Sequence, residues 1–206
     1  MAEGLEVIND DGYIQISSKN KNILLSKWSR VSSSNTSVFK PTAMIVAIKP
    51  DVGEVMYKPS RNVFIDSGVV GKGIVYEFEW GVDDESNVGL QIFNADGTAA
   101  YKSSKNALRI IDSGSVRAYE SWTKQYDRPV AVVFNQTVTM LRTSGTQSAS
   151  IFESFVRIAK TGASAYQLTV STGDVVTFFQ PNPVGRTGTD TAYFLVVDAS
   201  TLPDAG

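Results

Sequence analysis

An internal repeat limits the fold more than any other feature of this chain. Residues 4–12 read Gly-Leu-Glu-Val-Ile-Asn-Asp-Asp-Gly, and residues 89–97 read Gly-Leu-Gln-Ile-Phe-Asn-Ala-Asp-Gly; five of nine positions are identical. Ser17-Ser18-Lys19-Asn20 returns as Ser103-Ser104-Lys105-Asn106, and Pro41-Thr42-Ala43-Met44-Ile45-Val46 faces Pro129-Val130-Ala131-Val132-Val133-Phe134. Near the end of each copy comes an aromatic stretch, Tyr76-Glu77-Phe78-Glu79-Trp80 and then Tyr193-Phe194-Leu195-Val196-Val197. Ordered matches at nearly constant offset are the signature of a duplicated unit. Convergent turn chemistry would explain a shared Asp-Gly, but not a shared Ser-Ser-Lys-Asn. The repeat predicts a first unit over residues 1–82, an acidic linker over 83–87, and a second, longer unit over 88–206. The extra residues of the second unit fall between Leu141 and Thr191.

The unit is built of strands. Short runs rich in Val, Ile, Tyr and Phe (5–8, 13–16, 43–48, 74–80, 88–93, 130–134, 166–170, 175–179 and 192–197) alternate with turn clusters. Those clusters include Asn9-Asp10-Asp11-Gly12, Pro50-Asp51-Val52-Gly53, Asn94-Ala95-Asp96-Gly97, Ser171-Thr172-Gly173-Asp174 and Pro181-Asn182-Pro183. Asp-Gly supplies the positive φ that a tight hairpin needs. Residues 150–160 fit a helix through Ile151, Phe155 and Ile158, and a strand through Phe152, Val156 and Ile158; in this company a strand is expected. The pattern therefore predicts an all-β protein of two tandem small antiparallel β-sandwich-like domains. The closing strands 76–80 and 193–197 are apolar enough to need cover on both faces, or a partner at an edge.

Composition narrows the chemistry. The 19 Lys and Arg against 21 Asp and Glu give a formal net charge of −2, and the charge is even along the chain. Such a balance lacks the electrostatic footprint of a nucleic-acid binder. Cysteine is absent, which removes disulfides, zinc-thiolate sites and Cys nucleophiles. Histidine is absent too, which removes the commonest general base and metal ligand. No enzymatic activity, cofactor or metal is expected. No run approaches the roughly 18–20 apolar residues of a membrane span, and Met-Ala-Glu-Gly-Leu-Glu-Val is not a classical signal sequence. Synthesis in the cytoplasm is expected, with export only as part of a larger object.

Individual candidates are few. Asp10-Asp11 and Asp83-Asp84-Glu85 lack the alternating spacing of a calcium loop, and read as a turn and a linker. Gly71-Lys72-Gly73 lacks the rest of a phosphate loop and reads as a turn. Ser32 to Ser37 and Thr143 to Ser148 read as polar loops, and Ser without His forms no ordinary triad. Trp80 ends an aromatic strand and reads as core. Trp28 and Trp122 lie among polar neighbours (Lys27 and Ser29; Ser121 and Thr123) and are the candidates for a ligand-binding or subunit surface.

The opening Gly-Leu-x-Val-x-Asn-x-x-Gly of residues 4–12, carried again by residues 89–97, the strand Ile45-Val46-Ala47-Ile48-Lys49-Pro50 and the closing aromatic strands together resemble a family of small bacteriophage tail-region proteins. In the second copy Phe134-Asn135-Gln136 departs from the basic-Pro end of that strand. The resemblance implies a virion structural protein of the tail tip, baseplate or tail-fibre region, assembled in the host cytoplasm. Its partners would be other virion proteins, in a homo-oligomeric ring or fibre attachment. The alternatives are a host-receptor or carbohydrate-binding module facing a cell-surface glycan, and a capsid decoration protein.

Overall fold

The computed structural model describes residues 6–8, 14–17, 23–32, 45–58, 68–80, 90–93, 97, 99–102, 106–136, 138–144, 148–179 and 186–203. Every regular element among them is a strand. In chain order these are β1 (Glu6–Ile8), β2 (Ile14–Ser17), β3 (Ile23–Ser32), β4 (Ile45–Lys58), β5 (Gly68–Trp80), β6 (Gln91–Phe93), β7 (Ala99–Lys102) and β8 (Ile110–Arg117). They continue with β9 (Ser121–Tyr126), β10 (Val130–Gln136), β11 (Thr139–Ser144), β12 (Ser148–Lys160), β13 (Tyr166–Phe179), β14 (Arg186–Thr189) and β15 (Thr191–Asp198). The protein is all-β, and residues 150–160 are strand.

The repeat is visible in the backbone. β1 pairs with β2 through Glu6–Ser17, Val7–Ile16 and Ile8–Ile14, with an irregularity between Val7 and Ile8. β6 pairs with β7 through Gln91–Lys102, Ile92–Tyr101 and Phe93–Ala99, with the irregularity between Ile92 and Phe93. The two hairpins thus keep the same register and bulge at the same place. Gly97 in the second turn has φ +80°, the conformation that Asp-Gly supplies without steric cost. Gly12, expected to do the same, lies outside the described residues.

The repeats do not form two separate sandwiches. β3, β5 and β4 from the first copy join β10, β15 and β8 from the second in one hydrogen-bonded sheet, in that order. The junction is antiparallel, with Ile48 opposite Val132 and Ala47 opposite Val133. The order is therefore palindromic about β4 and β10, with an approximate two-fold axis between them. The expected partition into 1–82 and 88–206 differs from this arrangement because the cores are not partitioned. One core joins Ile48, Val55 and Val75 to Val116, Val132, Val156, Leu168 and Phe194; the other joins Leu25, Tyr76 and Phe78 to Ala131, Val133 and Val197. The linker 83–87 lies outside the described residues.

Alternation explains how one sheet serves two cores. Successive side chains of a strand point to opposite faces. In β10, Val130 and Val132 enter the first core while Ala131 and Val133 enter the second. Such strands must be apolar at every position, as parallel-sheet strands are. Runs like Val130 to Phe134 are what this demands. Most of the cover that strands 76–80 and 193–197 require thus comes from the chain itself, with Trp80 and Tyr193 left exposed. Over the second core lie residues 106–109, where Leu25 N–H donates to Asn106 O and Leu108 N–H to Ile23 O, and residues 199–203, where Tyr76 Oη donates to Pro203 O at 3.0 Å. Trp80, expected in the core, is 45% exposed because β5 ends there.

A second group of strands wraps the first core. β4 pairs along one edge with β5; on the other, its first half meets β10 and its second half meets β12. Between the halves the β4–β5 register slips twice, from Pro50 to Val52 and from Val52 to Val55. Pro50 to Gly53, expected as a turn, is instead this bulged bend, which lets one strand pass between two sheets. Gly71-Lys72-Gly73 is likewise no turn but the facing stretch of β5. Ser171 to Asp174 also runs through as strand, β13 being continuous with a bulge near Val175. Around the first core the order is β4, β10, β15, β8, then β9, β13, β12 and back to β4. The ring is laddered everywhere except between β8 and β9. The stretch between β10 and β15 of the second copy contains β11 to β14.

Two substitutions test these turns and bends. Gly71 has φ +95°, and a Cβ there would collide with the backbone carbonyl of Glu54. Gly71→Ala should lower unfolding free energy by about 2 kcal/mol or more, from overpacking against backbone added to left-handed strain. Gly97 faces open space, so Gly97→Val should cost only the strain, roughly 1–2 kcal/mol. Chemical denaturation of each variant against wild type measures both, and equal midpoints would refute the assignment.

Candidate functional site

The seam between β8 and β9 holds the most organised polar chemistry among the described residues. Both strands are committed elsewhere, β8 to β15 and β9 to β13, so side chains close the gap. Along β8, Asp112, Gly114 and Val116 share one face; along β9, Trp122, Lys124 and Tyr126 share one, with Lys124 exposed at the seam. Gly114 lies opposite Phe194 in register, and a Cβ there would collide with the Phe194 ring. The missing side chain lets Phe194 meet Trp122 edge-on, with centroids 5.0 Å apart at 63°, and Phe134 at 6.2 Å. Aromatic pairs at such distances are worth about 0.5–1.5 kcal/mol beyond their buried area.

Asp112 ties the two strands on the same inner face. Its Oδ2 accepts from Lys124 Nζ at 2.7 Å and from Tyr126 Oη at 2.8 Å, and its Oδ1 from Ser113 N–H at 2.8 Å. Burial alone would raise the Asp112 carboxyl, but these donors and the Lys124 charge outweigh it and hold it below the ordinary range. Burial and the Asp112 charge push the Tyr126 phenol well up. The Lys124 ammonium also lies 5.6 Å from the Tyr126 ring centroid. Inward-pointing charges on facing strand edges block the pairing that bare edges invite. At the top of the seam, Glu120 N–H donates to Arg117 O at 3.0 Å, and Tyr119 sits at φ +74°. Its N–H donates to Thr172 Oγ1 of β13 at 2.7 Å.

A second carboxylate closes the other end of the sheet. Asp198, 2% exposed, accepts from Ser200 N–H and from Ser200 Oγ at 2.6 Å. Arg109 Nη1 and Arg128 Nη1 lie 3.6 and 3.9 Å from its Oδ2. Burial pulls its carboxyl upward, and the Ser200 bonds and the two guanidinium groups more than reverse that. Each arginine stands just before a strand, so Asp198 gathers the starts of β8 and β10 at the end of β15.

The structure separates the two tryptophan candidates. Trp28 lies on β3 opposite Tyr76 and is 39% exposed. Trp122 is half-buried against the first core, its ring committed to Phe194. They are not brought together. Asp10-Asp11 and Asp83-Asp84-Glu85 lie outside the described residues. The described residues contain no group of three side chains able to hold a metal ion, and no helix long and apolar enough to cross a membrane. Comparison of the chain with protein-family models, with curated proteins and with solved structures gives no match.

The Asp112 tie is a measurable quantity. Asp112→Asn should lower stability by about 1–2 kcal/mol, the scale of charge-assisted hydrogen bonds partly retained by an amide. Because the folded-state carboxyl is held below the ordinary carboxylate value, its contribution is full above the ordinary range and is lost as pH falls through the folded-state value. Thermal melts from about pH 6 downward should show the two proteins converging at low pH; a gap that widens on acidification would refute the tie.

Proposed function

We propose that this chain is a structural protein of a bacteriophage virion, a subunit of the tail tip, baseplate or tail-fibre region. The observation that carries the reading is the doubled core. At their centres β4, β10 and β15 are filled on both faces by the chain's own side chains, so the middle of the body is packed on both sides and its work falls to its surfaces. Rigid β-scaffolds that present their flanks and loops suit repeated assembly. The resemblance of residues 4–12, 45–50 and 89–97 to tail-region proteins supports the same reading. So does a net charge of −2, since close-packed copies then repel one another little. Trp28 and Trp80, 39% and 45% exposed, stand at the rim of the second core on either side of the buried Tyr76 and Phe78, and large exposed aromatics are characteristic of subunit contacts. A ring or fibre attachment through this flank would bury at least roughly 1,000 Å².

Mass spectrometry of purified virions, with immunogold labelling, tests the proposal. Label on tails is the expected result. Label confined to heads would move the protein to a capsid decoration role, and absence from the particle would remove the structural reading.

A further inference from the structure

We propose that the outer face of the β9–β13 pair is a binding surface for a neutral polysaccharide. Tyr166, Leu168 and Val170 of β13 point into the first core, as Trp122 and Tyr126 of β9 do. The alternate residues face outward, and the register pairs them like with like: Ser121 opposite Ser171, Thr123 opposite Thr169, Gln125 opposite Gln167. The two central hydroxyls are 3.1 Å apart. Six uncharged hydrogen-bonding side chains therefore stand in two columns, in a chain with 40 charged residues (19 basic and 21 acidic) among 206.

The chemistry of the face selects its ligand. Hydroxyls and primary amides each donate and accept, which matches a sugar, whose hydroxyls also do both. An anionic partner would call for free cations: the six positions have none, and Arg157 of β12, opposite Thr169 on the same face, is paired with Glu54; an apolar partner would call for more than two threonine methyls and the partly buried Phe155 opposite Ser171. Columns about 4.8 Å apart, with rows about 6.7 Å apart along each strand, form a grid on the scale of sugar rings. The positions are held from behind by packed side chains, and β-branched threonines have few χ1 options, so little entropy is lost on binding.

An aromatic platform stands at one end. Tyr119 is 53% exposed, and its positive φ is rare for a non-glycine residue. Thr172, one residue beyond Ser171, accepts from the Tyr119 N–H, which places that turn at the Ser171 end of the columns. A phenol ring there suits stacking on the apolar face of a pyranose. Neither sequence candidate belongs to this surface: Trp28 is on β3, and Trp122 faces inward from β9. The proposal holds whether or not the chain is a virion subunit.

Saturation-transfer NMR on the full chain tests it, with dextran, mannan and galactan as neutral probes and polygalacturonate and heparin as acidic ones. At least one neutral glycan should show transfer, with amide shifts confined to β9, β13 and the Tyr119 turn. The outward-facing double variant Thr123→Lys/Thr169→Lys should weaken that binding at least tenfold while keeping the wild-type circular dichroism. Gln125→Ala/Gln167→Ala, a milder change, provides a second reading if the lysines disturb folding, and Trp28→Ala should bind as wild type does. No transfer from any neutral probe, a preference for the acidic ones, or binding indifferent to both double variants would overturn the proposal.

Discussion

The antiparallel contact between β4 and β10 is the constraint on which the rest depends. Opposing Ile48 to Val132 and Ala47 to Val133 turns two copies of a motif into one sheet. An isolated two-stranded hairpin is at best marginally stable in water. Side by side, the copies make a sheet wide enough to carry a core on each face. The first core is then closed by β12, β13 and β9, which the second copy supplies. The second is covered by short segments, residues 106–109 and 199–203. The approximate two-fold order survives in the sheet, the two small hairpins repeat one register, and the symmetry is lost wherever the longer copy adds strands.

Much of this was legible in the residues. Asn-x-Asp-Gly marked the β6–β7 turn, and period-two apolar runs marked the central strands. The closing strands 76–80 and 193–197 were apolar enough to require cover on both faces or a partner at an edge, although their pattern does not say whether another chain or the same one provides it. What misled was local turn chemistry. Pro50 to Gly53 and Ser171 to Asp174 have turn composition, yet both lie within long strands, because a bulge uses the same residues as a turn. Polar strands such as β9, Ser-Trp-Thr-Lys-Gln-Tyr, gave no apolar signal, since one face is solvated and the other is closed by Trp122, Lys124 and Tyr126. The division at residues 83–87 followed from assuming that a repeated sequence has its own core.

The polar seam was not readable for a different reason. Asp112, Lys124 and Tyr126 have unremarkable neighbours, and only the closing of the strand ring brings them together. Gly114 illustrates the point: in the sequence it is one glycine in a Ser-Gly-Ser stretch, and in the fold it is the opening through which Phe194 reaches Trp122. Of the tryptophans, Trp122 owes its polar flanks to the outward alternation of β9, whereas Trp28 is open to solvent.

The strands filled on both faces also decide where such a protein can change. At Val130, Ala131, Val132 and Val133 no side chain has a solvent side, so a polar replacement at any of them would leave a buried group unpaired in one core or the other. The outer positions of β9 and β13 carry no such penalty, because backbone ladders and inward neighbours hold the strands in place. A lineage built on this fold can therefore rewrite one flank almost freely while its centre stays fixed, and new recognition can be acquired without renegotiating the fold.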